Sequence, residues 1–188
     1  MSPMIYSLMQ CAKYVSQSMV VSYPTESVFG LGCNPNSQIA VKYLLSLKKR
    51  SVKKGLILVS ANYKQLIPWI ADEELSDDQR SYMFSRWPGP VTWIVPARPT
   101  TPFWLRGQFT TIAVRVSNHP TVISLCKACN TALVSTSANL TGFLPCRGAS
   151  EVIENIGNHI PVLVGQTSGH AHPSEIRNLI TGELIRGG

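Results

Sequence analysis

Ser37-Gln38-Ile39-Ala40-Val41-Lys42-Tyr43-Leu44-Leu45-Ser46-Leu47-Lys48-Lys49-Arg50, followed shortly by Gly55-Leu56-Ile57-Leu58-Val59, is the stretch that decides the fold. Ile39, Val41, Leu44 and Leu45 form one apolar stripe, and Ser37 can cap a helix running through Leu47. Gly55 then opens four consecutive apolar residues, the pattern of a buried strand. A helix feeding into a buried strand is the repeating step of α/β architecture. The same alternation continues on both sides. Met19-Val20-Val21 reads as a short strand ahead of it. Behind it, Asn62 begins a helical stretch, Ser76-Asp77-Asp78-Gln79 has the form of a capping box, and residues 91–95 and 111–116 read as strands. Asn118-His119-Pro120 starts a helix to about Cys129, residues 132–134 are a strand, 151–156 a helix and 162–164 a strand. Residues 179–185 read as a hairpin around Thr181-Gly182. The pattern predicts one α/β domain over residues 1–188, built on a mixed parallel and antiparallel sheet. Neither Trp87-Pro88-Gly89-Pro90 nor the stretch 96–102 is long enough to be a linker.

With 188 residues and 44% apolar content, the chain can bury a core without staples. No apolar run reaches the roughly 20 residues that span a bilayer. Met1-Ser2-Pro3-Met4-Ile5-Tyr6 has neither the basic nor the apolar region of an export signal, so a soluble, cytoplasmic protein is expected. Five cysteines, an odd count, then read as reduced thiols. The net charge is +7, and its layout says more than its total. Residues 27–71 carry seven Lys/Arg and no acid, and residues 79–150 again carry seven and none. Five of the ten acids crowd into residues 72–78, and Glu26 is the one acid before them. Such a layout favours an anionic partner: a nucleotide, a carboxylate substrate or nucleic acid. It argues against paired-carboxylate hydrolysis and two-metal chemistry, which need clustered acids. Any catalysis in this acid-free central region is expected to work by positioning and cationic stabilisation.

Several residues are candidates for that work. Lys48-Lys49-Arg50 puts three cations at a helix end, where the helix dipole alone would favour them. Ser135-Thr136-Ser137-Ala138-Asn139 puts four hydrogen-bonding side chains just past an apolar strand. Brought together, the two would suit a polyphosphate. Pro24-Thr25-Glu26-Ser27-Val28-Phe29-Gly30-Leu31-Gly32 follows the first strand, where open α/β sheets bind ligands. Thr25 can offer its hydroxyl there, and the glycines permit close backbone approach; a turn with a helix cap is the plainer reading. Arg115 interrupts a strand and needs an anionic partner that no neighbouring acid supplies, so a ligand carboxylate or phosphate would fill the gap. Cys126-Lys127-Ala128-Cys129 lacks the second cysteine pair of a metal site and reads as structural thiols. His170-Ala171-His172 is a loop feature, and His119 before Pro120 reads as a helix start.

Taken together, Tyr23 to Gly32, Leu47 to Leu58, Ser85-Arg86-Trp87-Pro88-Gly89-Pro90-Val91-Thr92, Ala113-Val114-Arg115-Val116 and Leu133 to Gly142 resemble the YrdC-like family. Within it they are most similar to the short, single-domain threonylcarbamoyl-AMP synthases, and the resemblance covers essentially the whole chain. Its signature is a Lys-x-Arg plus Ser-x-Asn set, here Lys48, Arg50, Ser137 and Asn139. The resemblance implies a twisted mixed sheet around a large, basic, concave cavity. It also implies a nucleotidyltransferase: threonine and bicarbonate give a carbamate, which attacks the α-phosphate of ATP and releases pyrophosphate. The product, L-threonylcarbamoyladenylate, would pass to a tRNA-modifying transferase complex that modifies adenosine 37 of tRNAs reading ANN codons (the t6A modification). By position, Lys48 and Arg50 are the implied catalytic cations on ATP phosphates or the carboxylate derived from bicarbonate. Ser137, Asn139 and Thr111 are implied to bind ATP. Arg115 is implied to take the threonine carboxylate, with Thr25, Ser135 and Ser174 completing that pocket. ATP is then a substrate that brings its own Mg²⁺, and no protein-held metal is expected. Longer relatives carry a histidine near the position of Ser60 and an additional C-terminal domain with a closing linker. Here closure would fall to residues 168–177 or to a partner.

Two other functions compete. A module binding tRNA or double-stranded RNA without catalysis is consistent with the +7 charge and the cluster Lys48 to Lys54. It lacks the stacking aromatics of common RNA-binding motifs. A carbamoyl-transfer module like that of hydrogenase maturation proteins would need acylphosphatase and zinc-finger segments, and none is visible here.

Overall fold

The computed structural model describes residues 5–188; Met1 to Met4, part of the segment read above for an export signal, lie outside the described residues. In chain order the elements are β1 (Ile5–Tyr6), α1 (Leu8–Ser16), β2 (Val21–Pro24), β3 (Phe29–Cys33), α2 (Gln38–Leu47) and β4 (Ile57–Ser60). There follow α3 (Asp77–Ser85), β5 (Val91–Pro96), α4 (Phe103–Arg106), β6 (Thr111–Val116), α5 (Pro120–Ala128) and β7 (Leu133–Ser137). The last are α6 (Ala149–Asn155), β8 (Val162–Leu163), β9 (Glu175–Asn178) and β10 (Leu184–Arg186). The ten strands form one sheet in the order β1-β8-β2-β3-β7-β4-β6-β5-β9-β10. Parallel and antiparallel pairs mix: β4 runs parallel to β6, whereas β7 is antiparallel to both β3 and β4. None of the described helices is long and apolar enough to cross a membrane.

Side-chain alternation along the strands builds two cores. Phe29, Leu31, Leu58, Val114 and Val134 point to one face, where Val41 and Leu44 of α2 cover them. Tyr23, Val59 and Leu133 point to the other, against Cys11 and Val15 of α1 and Val122 and Leu125 of α5. Those two helices cover only part of their face. The rest of it is open, and the candidate site lies there.

Local capping follows the expected chemistry at several helix starts. Ser37 accepts from the Ala40 amide, Ser76 forms a reciprocal box with Gln79, and His119 Nδ1 accepts from Thr121 N. Other readings need correction. The glycine-rich stretch after Thr25 is not a ligand loop throughout, since residues 29–33 are the strand β3, paired with both β2 and β7. Phe29, Leu31 and Cys33 bury one side of it, and Gly30 and Gly32 leave the other bare. Asn62 caps only a single 3₁₀ turn, Tyr63–Gln65. The final hairpin turns at Thr181-Gly182, but its first strand starts earlier and adds β9 in parallel to β5.

A Cβ at Gly32 would meet the Val134 carbonyl and stand 2.7 Å from the Tyr23 hydroxyl. Gly32→Ala is therefore expected to cost about 1–3 kcal/mol through forced displacement of the β3–β7 pair. Chemical denaturation would show it as a lower midpoint at unchanged slope.

Candidate functional site

The strand registers place a row of small and polar side chains on the open face. Ile57 stands beside both Ser135 and Ala113, so two residues further along each strand Ser137, Gly55 and Thr111 fall in one row. In the opposite direction Val59 stands beside Arg115. Thr111 and Arg115 are thus on one side of β6, roughly 13 Å apart at about 3.3 Å per residue. Between them lies a cavity of about 580 Å³, whose floor includes Gly30, Ile57, Ala113 and Ser135. That volume suits a ligand of nucleotide size. Lys54, Arg106 and Phe109 contribute to one wall, and Pro173, Ser174, Ile185 and Arg186 of the tail to another. Five cations line it (Arg50, Lys54, Arg106, Arg115 and Arg186), with no carboxylate among the described lining residues.

At the Thr111 end, Lys48 and Arg50 divide their labour. The Lys48 ammonium donates to the backbone oxygens of Ser137 (2.7 Å) and Asn139 (2.6 Å), and also to Asn139 Oδ1. Ser137 Oγ closes the unit by donating to Asn139 Oδ1 at 2.7 Å. Lys48 is only 6% exposed and, like Asn139, stands behind the cavity lining, whereas Ser137 and Arg50 are part of it. The two signature segments therefore form one hydrogen-bonded unit and do not face each other across the cavity. Arg50 donates from Nη2 to Gly55 O at 2.9 Å, and its Nε is buried without a hydrogen-bond partner. Burial, with the charge of Arg50 adding to it, pulls the Lys48 ammonium down to about 8.

At the other end, the structure corrects the reading of Arg115 as lacking an acid. Glu26, far away in sequence, pairs with it at 3.4 Å, and both are buried. Ser117 Oγ donates to the second Glu26 oxygen at 2.7 Å. Arg115 Nε remains without a partner and its side chain still lines the cavity. Thr25 also lines it, but its hydroxyl donates to Val28 O at 2.6 Å, leaving the oxygen's lone pairs as the free function. Ser135 is 8% exposed on the floor. Ser174 Oγ lies 3.2 Å from Thr92 Oγ1. Ser60 is fully buried, its hydroxyl on Arg115 O, and takes no part in the lining.

The tail is tied down beside this end. Ser168 N donates to Thr25 O and His170 N to Glu26 O, while the Gln166 carbonyl meets His119 Nε2. Arg186 donates to Ser174 O at 2.7 Å. Burial, followed by the charge of Arg115, lowers the Arg186 pKa. Sequence reasoning missed Arg186 and the partnership of Glu26. The isolation of Glu26 in a basic stretch was the one signal for the latter. No cluster of three His, Cys, Asp or Glu suited to a metal ion occurs among the described residues.

Known proteins place this architecture. Residues 13–188 match the Sua5/YciO/YrdC family model, whose description reads "Telomere recombination". The threonylcarbamoyl-AMP synthase of Enterobacter sp. (strain 638) is 52% identical over 182 residues, 97% of this chain and 96% of that protein. The threonylcarbamoyl-AMP synthase of Klebsiella pneumoniae subsp. pneumoniae is 58% identical over 169 residues, 90% and 89% of the two chains. Among solved structures, P. abyssi Sua5 complexed with L-threonine aligns with a TM-score of 0.85 at 26% identity, over 92% of this chain and 51% of that one. This chain therefore spans about half the length of that Sua5. E. coli YciO, at 20% identity and a TM-score of 0.84 over 96% and 88% of the two chains, shares the fold. With a match running from residue 13 through Gly188 and relatives more than half identical over nearly its full length, the chain belongs to the Sua5/YciO/YrdC family.

Proposed function

We propose that this chain is a threonylcarbamoyl-AMP synthase, joining L-threonine, bicarbonate and ATP into L-threonylcarbamoyladenylate with release of pyrophosphate. The observation that carries the reading is a single cavity with two chemically distinct ends, the Arg50–Thr111–Ser137 end and the Arg115 end. At the first, Arg50 and the hydroxyls of Thr111 and Ser137 hold the ATP phosphates, with Mg²⁺ arriving on ATP. Lys48 and Asn139 act there by fixing the position of Ser137. At the second, Arg115 takes the threonine carboxylate, and Thr25, Ser135 and Ser174 select for the hydroxylated side chain. A site built to hydrogen-bond a substrate hydroxyl discriminates strongly against analogues that lack it.

Between the two ends the threonine amine attacks the bicarbonate carbon, a C–O bond of bicarbonate breaks, and water leaves to give the carbamate. A carbamate oxygen then attacks the α-phosphorus, and the bond to the β,γ-diphosphate breaks, releasing pyrophosphate. Charge developing on the phosphoryl oxygens meets the fixed cations, which need no reorganisation at the moment of reaction. Holding carbamate and nucleotide on one sheet face supplies alignment. The product is an activated carbamoyl donor, consumed by a transferase that modifies adenosine 37 of tRNA. The direct test is pyrophosphate release with each substrate omitted in turn. Release must require all three; release without threonine or without bicarbonate would overturn the reading.

Lys48 gives this reading a pH signature. Its folded-state pKa of about 8 lies below the ordinary 10.5, so it loses its proton as pH rises through 8. In the free enzyme kcat/KM for ATP should fall above about pH 8, and Lys48→Arg should abolish that limb. Stability should move the opposite way. Between pH 8 and 10.5 the unfolded chain holds the proton that the folded chain has released, so stability from this group rises with pH. Parallel pH profiles of rate and of thermal unfolding would show the two trends diverging.

A further inference from the structure

A second cavity, of about 610 Å³, lies between α2 and α4. Its apolar body is made by Leu45, Val52, Phe103 and Trp104. The Trp104 ring is held in place by its Nε1, which donates to Pro35 O at 3.2 Å, so this surface is preformed. Its cations are Lys42, Lys49 and Arg50, with both lysines exposed. Lys49 takes a left-handed conformation, φ 45°, where α2 ends. Arg50, immediately after that turn, lines this cleft and the main cavity alike. The two helices come from the two acid-free stretches of the chain, and no salt bridge neutralises Lys42, Lys49 or Arg50 among the described residues. An apolar, aromatic cleft rimmed by unpaired cations is complementary to a molecule with an apolar body and a negative head.

We propose that the α2–α4 cleft is a second ligand site, for a small amphiphilic anion such as an aryl or acyl carboxylate, and that Arg50 couples it to the nucleotide end of the main cavity. The cleft stands independently of the synthase reading, whereas the coupling rests on it. Two anions drawing on one guanidinium oppose each other, so each weakens the other's binding by the same factor.

The probes are 1-anilinonaphthalene-8-sulfonate and its uncharged counterpart N-phenyl-1-naphthylamine, titrated by fluorescence. The sulfonate should saturate one site and bind at least about tenfold tighter than the neutral compound. In Lys42→Glu/Lys49→Glu that preference should vanish, while threonine-dependent pyrophosphate release and thermal stability stay at wild-type levels. Equal binding of the two probes to the wild type, or a preference that survives charge reversal, would overturn the site. Saturating ATP should raise the sulfonate Kd about fivefold. A Kd indifferent to ATP would overturn the coupling. If the wild type released no threonine-dependent pyrophosphate, the synthase reading would fail, while the comparison of the two probes would still decide the cleft.

Discussion

Replacing Arg115 with alanine is expected to lower kcat/KM for threonine by about a hundredfold to several thousandfold, with the KM for ATP nearly unchanged. The estimate comes from removing one member of a buried, charge-assisted contact, which costs roughly 3–5 kcal/mol where the partner charge stays behind. The same substitution leaves Glu26 buried, with one oxygen satisfied by Ser117 and the other facing no cation. Folding stability should therefore fall as well, by a comparable amount. The double variant Arg115→Ala/Glu26→Ala separates the two effects. Removing both charges should restore much of the stability, because buried pairs gain little net energy over apolar packing. It should not restore threonine use. Thermal unfolding beside steady-state kinetics with each substrate varied would read both quantities. Recovery of threonine kinetics in the double variant would mean that Arg115 serves only to neutralise Glu26.

Lys48→Ala has the second large effect, and it falls on the other substrate. The ammonium bridges Ser137 and Asn139; its loss leaves the Asn139 carbonyl without a donor, while Ser137 O keeps the Asn139 amide and Asn139 Oδ1 keeps the Ser137 hydroxyl. That one orphaned carbonyl costs about 1–3 kcal/mol, and the bridge between the two residues is lost with it, so the β7 exit should loosen. With Ser137 displaced and a fixed positive charge gone, kcat should drop by about 10²–10³-fold. The KM for threonine should change little, since Arg115 and Thr25 lie in a separate network. Lys48→Arg keeps the charge but forces a planar fork into a compact site, and should recover only part of the rate. Initial rates of pyrophosphate release in the two variants would check the order wild type, arginine, alanine.

The alternation that identifies the fold was visible in local patterns. α2, β4, β6 and α5 each carry their own apolar spacing or capping residue, and those signals survive in isolation. Elements with a weaker or misleading signal escaped. α1 begins at a good capping box, Ser7 with Gln10, but its buried side comprises only Cys11, Ala12 and Val15, too sparse to stand out. β3 hid behind Gly30 and Gly32, because glycine marks turns in most sequences, and here it marks a strand face that must lie bare beside Tyr23 and the cavity.

The candidate site divides along the same line. Thr25, Arg50, Thr111, Arg115, Ser135, Ser137 and Ser174 line one cavity; residue type and position point to a ligand at Thr25, Arg50, Arg115, Ser135 and Ser137, whereas Thr111 and Ser174 are implied only by the family resemblance. The Glu26–Arg115 pair is signalled only by the isolation of Glu26, since it joins a loop after β2 to a strand much later in the chain. Arg186 was hidden altogether. Its place beside Ser174 depends on the tail adding β9 next to β5, a long-range pairing that no local pattern announces.

If one cavity brings a threonine-derived carbamate to the α-phosphate of ATP, the amino acid and the bicarbonate carbon must end up on the same nucleotide. Mass spectrometry of the adenylate formed from threonine, ATP and bicarbonate labelled with heavy carbon reads both at once. The adenylate is expected to carry both threonine and the heavy carbon, and to be lost in Arg115→Ala. An unlabelled threonyl adenylate, or ADP as the sole nucleotide product, would overturn the synthase reading.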